Sequence, residues 1–342
     1  MNPPLQKSTR RIQWVTKLAV LLVMIALVLG VVFYSQVGPV DVNDNLNRLF
    51  VVKQGSTSMQ IAMDLEKEGL LKNAQAFILY NRLTGNINRL KAGHYYFNSA
   101  MSVQEITAKL VEGKVATVSF TIPEGYRLQQ IADVLVKREI ATEKEFWAVV
   151  KDGEFDFPFL EDLPQTENRL EGYLFPDTYL IPIGMSLEDV IEAMLKQFNS
   201  VYKRLPANNS GLTTHEVVTL ASIIEGECFL DKERPVVASV FLNRLKIGQR
   251  LESCATVQYA LGKKKERILI VDTEIESPFN TYRIKGLPPG PIGCPGEASL
   301  RAVLDPADTD YYYFVAKKDN SGEQVFARTF EEHSRNKWKL GY

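Results

Sequence analysis

Residues 213–245, TTHEVVTLASIIEGECFLDKERPVVASVFLNRL, predict two consecutive helices. Thr213 suits the N-cap position, and Glu216 completes a reciprocal capping box three residues later. The apolar residues that follow recur every three or four positions, which is typical of an amphipathic helix. Pro235 suits the first turn of the second helix, which continues to Leu245. Both helices therefore have an apolar face to bury against the rest of their domain.

The first helix ends in two acidic residues, Glu225 and Glu227, on either side of Gly226. Ala221 and Ser222 lie one turn before Glu225 on the same face, so its carboxyl group is expected on a mostly apolar flank. An apolar flank and the end of a helix both disfavour an ionised carboxylate, as a general acid at neutral pH requires. The pattern alone is weak evidence for a catalytic role, because a glutamate at a helix end is usually only solvated.

The composition excludes some classes of function. The chain has 342 residues, enough for two or three domains, and its net charge of −1 argues against nucleic-acid binding. The three histidines are far apart, and no Cys/His spacing resembles a zinc site, so we expect neither a metal nor an organic cofactor. His94, alone among aromatic residues, is expected to be a packed or surface side chain.

An uncharged apolar run occupies residues 18–34 and predicts a single transmembrane helix over residues 14–34. Basic residues cluster before it and acidic residues follow it, so the positive-inside rule makes residues 1–13 a cytoplasmic tail and places the rest outside the plasma (inner) membrane. A cleaved signal peptide is the alternative. The length of the run and the lack of a clear A-x-A site favour the uncleaved anchor.

Two segments resemble each other seventy residues apart. FVVKQG at residues 50–55 matches FTIPEG at 120–125, and QIAMDL at 60–65 matches QIADVL at 130–135. Each copy predicts a strand, a glycine turn and an amphipathic helix, and the shared register favours duplication over chance similarity. We therefore predict a duplicated β/α region over residues 45–150. The aromatic residues that extend the match are Phe77 and Trp147.

Other elements are predicted from local signals. Ser102 and Glu105 form a second capping box at the start of a helix. Residues 311–315 predict a buried strand, paired in a hairpin with residues 324–326. A proline-containing loop over residues 152–165 leads into a second domain, which we place at 166–342.

Several motifs occur along the chain in a fixed order that, taken together, is highly specific. The series resembles the endolytic murein transglycosylase family, and an N-terminal anchor followed by a LysM-like unit is also similar to that family. The motifs are residues 170–179 (LEGYLFPDTY), 220–227 (LASIIEGE), 233–245 (ERPVVASVFLNRL), 256–262 (TVQYALG), 277–282 (SPFNTY) and 286–292 (GLPPGPI), with Pro295-Gly296 after them.

By this resemblance, Glu225 matches the family's catalytic glutamate. The implied reaction cleaves the bond between N-acetylmuramic acid (MurNAc) and N-acetylglucosamine (GlcNAc) without water. Glu225 would protonate the leaving oxygen and then help to remove the proton of the muramic 6-hydroxyl, which closes a 1,6-anhydro ring. An internal nucleophile explains why one carboxylate can suffice, whereas most glycoside hydrolases use two. Glu227 matches a second family acid, for which holding the site is the favoured role.

The resemblance also implies a sugar-binding cleft. Asn and Gln side chains can bind hydroxyl and acetamide groups, and tyrosine rings can pack on sugar rings. The proline-rich loop at residues 286–292 could line this cleft. The alternative is that this loop is only a rigid turn. The residues expected to bind substrate or to support the site, besides Glu227, are Ser222, Asn243, Gln258, Tyr259, Asn280, Tyr282 and Pro289.

The sequence departs from the family at two places, and each carries a cysteine. After Leu251 the family commonly has Gln-Ser/Thr-Asp-Pro, whereas residues 252–255 here are ESCA, so any role of the family's aspartate is in doubt at Cys254. Cys294 stands where asparagine is commoner. A Cys254–Cys294 disulfide is one hypothesis, since an extracytoplasmic site permits disulfides. Free buried thiols are the alternative, and Cys228 is a competing partner.

We therefore expect an α+β fold with a single transmembrane helix, a small LysM-like β/α region and a mixed catalytic domain. The expected partners are peptidoglycan glycan strands, the plasma membrane and wall-synthesis enzymes, with a role in ending or trimming new strands. A hydrolase that uses Asp177 as a second carboxylate is one rival. A non-catalytic wall-binding scaffold is the other.

Overall fold

The computed structural model describes residues 5–161, 163–164, 166–263, 265 and 267–342, with side chains from residue 14 onward. Within these ranges the fold is α+β, as predicted, with helices and three two-stranded sheets. The chain forms two compact units. Unit 1 ends at Val118 and adds Pro182–Gly184, and unit 2 comprises Ser119–Ile181 and Met185–Tyr342.

The first helix, α1 (Leu5–Val37), contains the apolar run. Its segment Trp14–Val37 has 24 residues with a mean hydropathy of 2.8, and none of its most apolar stretch is buried in the protein. At 1.5 Å per residue, such a helix exceeds the roughly 30 Å of a bilayer's hydrocarbon core. It is the one helix in the described part of the chain that is long and apolar enough to cross a membrane, which is compatible with the predicted anchor.

The rest of unit 1 is a small β/α fold. Strands β1 and β2 pair antiparallel, with Arg48 opposite Phe97, and their inward side chains pack on the helices. Tyr95 and Phe97 stack at 5.5 Å between ring centroids in the core of this unit. The elements are β1 (Arg48–Val52), α2 (Ser58–Lys67), α3 (Ala74–Leu83), β2 (Gly93–Phe97) and α4 (Val103–Glu112). Helix α4 begins at the predicted Ser102–Glu105 capping box.

Unit 2 is larger and mostly helical, and the first two of its four short strands extend by one or two residues into unit 1. The predicted hairpin is present as β5 and β6, which pair antiparallel with Tyr313 opposite Ala327. The elements are β3 (Thr117–Thr121), α5 (Leu128–Lys137), α6 (Glu143–Asp152), β4 (Thr178–Pro182), α7 (Leu187–Tyr202), α8 (Thr214–Glu227), α9 (Arg234–Lys246), α10 (Cys254–Ala260), α11 (Glu297–Leu304), β5 (Tyr313–Ala316), β6 (Gln324–Ala327) and α12 (Phe330–Lys339), with 3₁₀ turns at Pro158–Leu160, Asp231–Glu233 and Ile270–Glu274.

The two similar segments adopt the same local structure. Gly55 and Gly125 both turn the chain in the left-handed region, at φ 81° and 76°, which favours glycine. Helices α2 and α5 begin three residues after these glycines and bury the same three positions of their stripes. Phe77 is fully buried in the first copy. In the second copy the fully buried ring of α6 is Phe146, one residue before the Trp147 that extended the sequence match.

The copies nevertheless belong to different units. The first copy lies in unit 1, whereas residues 119–152 of the second lie in unit 2 with the motifs that resemble the transglycosylase family. The predicted boundary at residue 166 therefore falls inside unit 2. The LysM-like character of residues 45–150 stays a prediction.

Helix α8 forms the centre of unit 2. It begins at the predicted Thr213–Glu216 capping box, but it is not amphipathic, because all residues from Val217 to Ile224 are buried. Helices α9 and α11 both pack against it, which leaves no solvent face in the middle of the helix. The hydroxyl groups that are buried in this way donate to backbone carbonyls one turn earlier. Thr219 Oγ1 donates to His215 O at 2.7 Å, and Ser222 Oγ donates to Thr219 O at 2.7 Å.

Phe77 tests the core of unit 1. Phe77→Ala should lower the stability of this unit by about 3–5 kcal/mol, because the cavity left by a fully buried ring collapses only in part. Leu83→Ala on the same helix is the control, because Leu83 is 72% exposed and should change stability by no more than about 0.5 kcal/mol. Amide hydrogen exchange of β1 and β2 in the detergent-solubilised protein measures both effects. Equal protection in the two variants would contradict the assigned core.

Candidate active site

The carboxylate of Glu225 lies at the end of α8 and is held on both oxygens. Oε1 accepts a hydrogen bond from Arg234 Nη2 at 3.1 Å. Oε2 accepts from the backbone N–H of Gly296 at 3.0 Å and from Ser299 Oγ at 2.9 Å. The side chain is only 8% exposed. The expected apolar flank is therefore wrong, because the oxygens of Glu225 face a cation and two hydrogen-bond donors.

Arg234 connects the helices that surround Glu225. Its guanidinium is 5% exposed and sits in the first turn of α9. Besides Glu225, it binds Asp231 Oδ1 through Nε at 2.8 Å and Ser299 Oγ through Nη1. A buried charge is costly unless it is paired and hydrogen-bonded, and these partners satisfy the guanidinium. Neither Arg234 nor Ser299 was singled out from the sequence, because their function depends on contacts with other helices.

Two glycine-containing turns form a wall beside Glu225. Gly125 N–H donates to Cys294 O and Cys294 N–H donates to Tyr126 O, each at 2.8 Å. A Cβ at Gly293 would lie 2.7 Å from Gly125 O, so this close pairing requires glycine there. A Cβ at Gly125 would lie 3.7 Å from Cγ of Glu225, which places the turn directly against the catalytic candidate.

A cleft of about 550 Å³ opens between the turns and the ends of α8 and α10. Its lining combines backbone at glycines with polar side chains, as a site for a sugar chain requires. Arg127 lies over the Tyr259 ring, 4.9 Å from its centroid, at the side of this cleft. The lining residues are Glu124, Gly125, Tyr126, Arg127, Gln129, Gln130, Ser222, Gly226, Ala255, Gln258, Gly262, Lys263, Ile292 and Gly293.

Glu124 is a second acid beside Glu225 that the sequence analysis did not single out. Its carboxylate lies against Gly296, so closely that a Cβ on Gly296 would overlap it. Partial burial and then the negative charge of Glu225 raise the pKa of Glu124, with an opposing contribution from Arg234. One sequence signal pointed to it: Glu124 replaces Gln54 at the matching turn position of the first copy.

Glu227 holds the segment that precedes and opens α10. Its Oε1 accepts from Ser253 Oγ at 2.5 Å and from Ala255 N–H at 2.9 Å. Burial raises the pKa of the Glu227 carboxyl, and these hydrogen bonds offset part of that shift. The carboxylate thus satisfies donors at a helix N-terminus, where a negative charge is favourable.

Two predicted residues, Ser222 and Gln258, line the cleft, and a third, Tyr259, lies under the lining residue Arg127. Ser222 Oγ accepts from Ile292 N–H at 3.0 Å and so fixes the proline-rich loop to α8. Gln258 lines the cleft, and its side-chain oxygen accepts from Lys265 N–H at 3.2 Å. The Tyr259 hydroxyl is engaged with Asn168 and Glu171 rather than free for a ligand.

The other predicted residues support the surrounding loops. Asn243 donates to Thr309 O at 2.8 Å and Tyr311 O at 3.1 Å. Asn280 is fully buried and donates to two backbone carbonyls, so it cannot bind a sugar. Pro289 O faces His215 Nε2 at 3.0 Å.

Tyr282 lines a different cavity of about 610 Å³, together with Glu227 and Cys254. Its hydroxyl lies 3.3 Å from Cys254 Sγ. All three cysteines are free thiols, and Cys254 is exposed whereas Cys228 and Cys294 are buried. The hypothesis of a Cys254–Cys294 disulfide is therefore wrong for this structure: Cys254 faces Tyr282, and Cys294 lies in the turn paired with Gly125.

Glu171 is a buried carboxyl group on the far side of Arg127. It is 6% exposed, and its oxygens accept from Leu128 N–H at 3.1 Å and from the Tyr259 hydroxyl at 3.3 Å. Burial raises the pKa of Glu171 to about 7, although these bonds and Arg127 oppose the shift. In the described part of the chain, no group of three or more His, Cys, Asp or Glu side chains is placed to hold a metal ion.

This fold is that of the YceG-like family. The chain belongs to this family, which matches residues 50–339. A similar protein is the endolytic murein transglycosylase of Bacillus subtilis strain 168, 38% identical over 322 residues that cover 89% of this chain and 88% of that protein. The protein of the same name from Streptococcus pneumoniae strain D39 is 33% identical, over 87% of this chain and 59% of its own length.

A crystal structure supports the same assignment. The YceG-like protein of Listeria monocytogenes, solved at 2.6 Å, has 34% sequence identity and a TM-score of 0.57, and the match covers 85% of this chain and 99% of that one. The resemblance that the ordered motifs indicated is thus confirmed at the level of the family.

The pKa of Glu171 predicts how stability depends on pH. A glutamate in an unfolded chain has a pKa of about 4.3, whereas burial raises the pKa of Glu171 to about 7. The folded state favours the protonated carboxyl group. Its contribution to the free energy of unfolding is therefore present below about pH 4 and is lost as the pH rises through about 7.

Glu171→Gln carries no charge at any pH and should avoid this loss. We expect the variant to exceed the wild type by about 2–4 kcal/mol at pH 8 and to match it near pH 4.5. Urea titrations of the detergent-solubilised protein, followed by tryptophan fluorescence, to which Trp147 and Trp338 of unit 2 contribute, measure the difference. A variant less stable than the wild type at both pH values would contradict the assignment.

Proposed function

We propose that this protein is an endolytic murein transglycosylase that cleaves the MurNAc–GlcNAc bond of peptidoglycan and leaves 1,6-anhydro-MurNAc ends. The observation that carries the proposal is the position of Glu225: a rigidly held carboxylate beside a polar cleft, in the motif by which the chain resembles that family. The curated relatives named endolytic murein transglycosylase match along nearly the whole chain, which supports the same reaction.

Glu225 is the catalytic carboxylate of this reaction. Closing the anhydro ring requires removal of the proton from the muramic 6-hydroxyl and supply of a proton to the departing GlcNAc oxygen. A carboxylate fixed by Arg234, Ser299 and Gly296 needs no reorganisation when positive charge develops at the sugar, which is how preorganised groups lower a barrier. Glu227 supports the site indirectly, because it holds the start of α10 beside the cleft.

The rival hydrolase would need a second carboxylate that activates water, and Asp177 was the candidate. Its carboxylate is engaged by Gln197 Nε2 at 2.7 Å and by Thr178 N–H at 2.7 Å, just before β4. These contacts favour the transglycosylase over a hydrolase that depends on Asp177.

The proposed location is the outer face of the plasma membrane, with α1 as an uncleaved anchor and the N-terminus in the cytoplasm. The basic residues before the apolar run support this orientation. Unit 1, which contains most of the LysM-like region, would then capture glycan strands close to the membrane. Strands there are newly made, so the enzyme would end or trim them alongside wall-synthesis enzymes.

Glu225→Gln tests the assignment. The amide cannot exchange a proton at neutral pH, so cleavage should fall by about 10²–10⁴-fold. Because glutamine cannot accept from all of its three neighbours, the variant should also be less stable, and its melting temperature must be recorded beside its activity. Digestion of purified glycan strands followed by mass spectrometry measures the release of 1,6-anhydro ends.

Two outcomes would contradict this assignment. A folded Glu225→Gln protein with the wild-type rate would remove Glu225 from the reaction. If the wild type instead released reducing muramic ends, and Asp177→Asn no longer released them, the hydrolase would be favoured.

Cys254 tests the orientation in the membrane. It is the exposed one of the three thiols, so a membrane-impermeant maleimide at pH 8 should label it in intact protoplasts. Labelling should disappear in Cys254→Ser, because Cys228 and Cys294 are buried. Labelling that requires permeabilised membranes would place unit 2 in the cytoplasm and contradict the proposed topology.

A further inference from the structure

Glu225 receives three hydrogen bonds on its carboxylate, and Oε1, which receives one of them, keeps a lone pair that can take a proton. A proton on Oε1 would face the Arg234 guanidinium, and a proton on Oε2 would face the donors of Gly296 and Ser299. With these donors directed at both oxygens, Glu225 has no carboxyl hydrogen aimed at a leaving group. A general acid needs the opposite environment, with a proton directed toward the leaving group.

Glu124 has that opposite environment. Its side chain is exposed on the Pro123–Gly125 turn and lines the cleft of about 550 Å³. It forms no side-chain hydrogen bond with any residue that the structure describes, so no donor stabilises its charge. Partial burial and then the charge of Glu225 raise its pKa, and Arg234 opposes this shift. Two carboxyl groups in such different surroundings divide naturally into an acid and a base.

Gly296 lies between the two carboxyl groups. Its N–H binds Glu225 Oε2 at 3.0 Å, and its Cα side, which has no Cβ, admits the carboxylate of Glu124. The two acids therefore meet on opposite sides of one backbone position, beside the same cleft. Gly125, next to Glu124 in sequence, also packs against Cγ of Glu225.

We propose that Glu124 is a second catalytic residue, the general acid that protonates the departing GlcNAc oxygen, while Glu225 is the base. This inference rests on the proposed function. The bond from MurNAc C1 to GlcNAc O4 breaks, and its electron pair leaves with O4, which takes the proton of Glu124. The muramic O6 bonds to C1, and its proton passes to Glu225. Return of that proton from Glu225 to Glu124 through solvent restores the enzyme.

The repeat supplies a conservative variant for the test. Gln54 occupies the turn position of the first copy that corresponds to Glu124, before a glycine of nearly the same φ. Glu124→Gln should therefore be accommodated by the turn. It removes the acid while keeping the size of the side chain.

The leaving group distinguishes an acid from a base. On natural glycan strands, both Glu124→Gln and Glu225→Gln should lose about 10²–10⁴-fold in kcat/KM. On a muramoyl glycan with a dinitrophenyl leaving group, which departs without protonation, full-length Glu124→Gln should recover to within about tenfold of the wild type, because only the acid term of about 10²–10⁴-fold is bypassed. Glu225→Gln should stay impaired, since the 6-hydroxyl still needs a base.

A second variant displaces Glu124 without removing it. Gly296 has an extended backbone conformation that alanine can adopt, and the added Cβ would push the Glu124 carboxylate away. Gly296→Ala should therefore behave like Glu124→Gln, with lower activity on strands and recovery on the dinitrophenyl substrate. Glu297→Gln is the matched control: Glu297 pairs with Arg301 at 2.8 Å outside the cleft, and its loss should leave both rates unchanged.

The pH profile gives an independent readout. The charged groups that face Glu124 are Glu225, Arg234 and Asp231. On natural strands the wild-type kcat/KM should fall as the pH rises through the pKa of Glu124, because the acid must carry its proton. With the dinitrophenyl substrate this fall should disappear.

Three results would overturn the proposal. One is a wild-type rate for folded Glu124→Gln on natural strands. Another is recovery of Glu225→Gln, rather than Glu124→Gln, on the dinitrophenyl substrate. If instead the wild type releases no anhydro ends from strands, the proposed function itself fails, and this proposal with it.

Discussion

The buried ion pair between Glu225 and Arg234 is the interaction on which unit 2 depends. Its two side chains are 8% and 5% exposed, and taking two charges out of water costs several kcal/mol per ion unless every polar atom is satisfied. Ser299, Asp231 and the N–H of Gly296 provide the remaining partners. Because these groups come from α8, α9, α11 and the turns before them, the pair fixes the helices together. The same contacts hold the carboxylate of Glu225, the proposed catalytic group, in a fixed position.

The cleft follows from this arrangement, because the turn that carries Glu124 can approach Glu225 only where glycines remove side chains. A Cβ at Gly293 or Gly296 would overlap a neighbouring segment, whereas Gly125 is favoured by its left-handed φ of 76°. The two backbone hydrogen bonds between the turns then hold this wall in place. The second copy of the repeat thereby belongs to the unit that contains the proposed active site. The first copy has the same fold but carries Gln54 at the corresponding position.

The departure from the family at residues 252–255 has a local explanation. Glu227 binds Ser253 Oγ and Ala255 N–H, so the backbone at the start of α10 is held without an acid at position 254. Cys254 points to Tyr282 and the cavity of about 610 Å³, whereas Ala255 and Gln258 face the cleft. The replacement at Cys254 therefore removes no group from the described cleft lining.

Local signals in the sequence determined the elements of this protein. The capping boxes at Ser102 and Thr213, the hairpin near residue 313 and the apolar helix α1 depend on neighbouring residues alone, and all are present. The motif also identified Glu225 as the catalytic candidate, a role that stays a prediction. Tertiary structure decided the rest. It buried α8 on all sides, enclosed Asn280 and surrounded Glu225 with donors instead of apolar groups. It also brought Glu124 to Glu225 across about a hundred residues of chain, because only packing sets which distant polar groups meet in a low-dielectric interior.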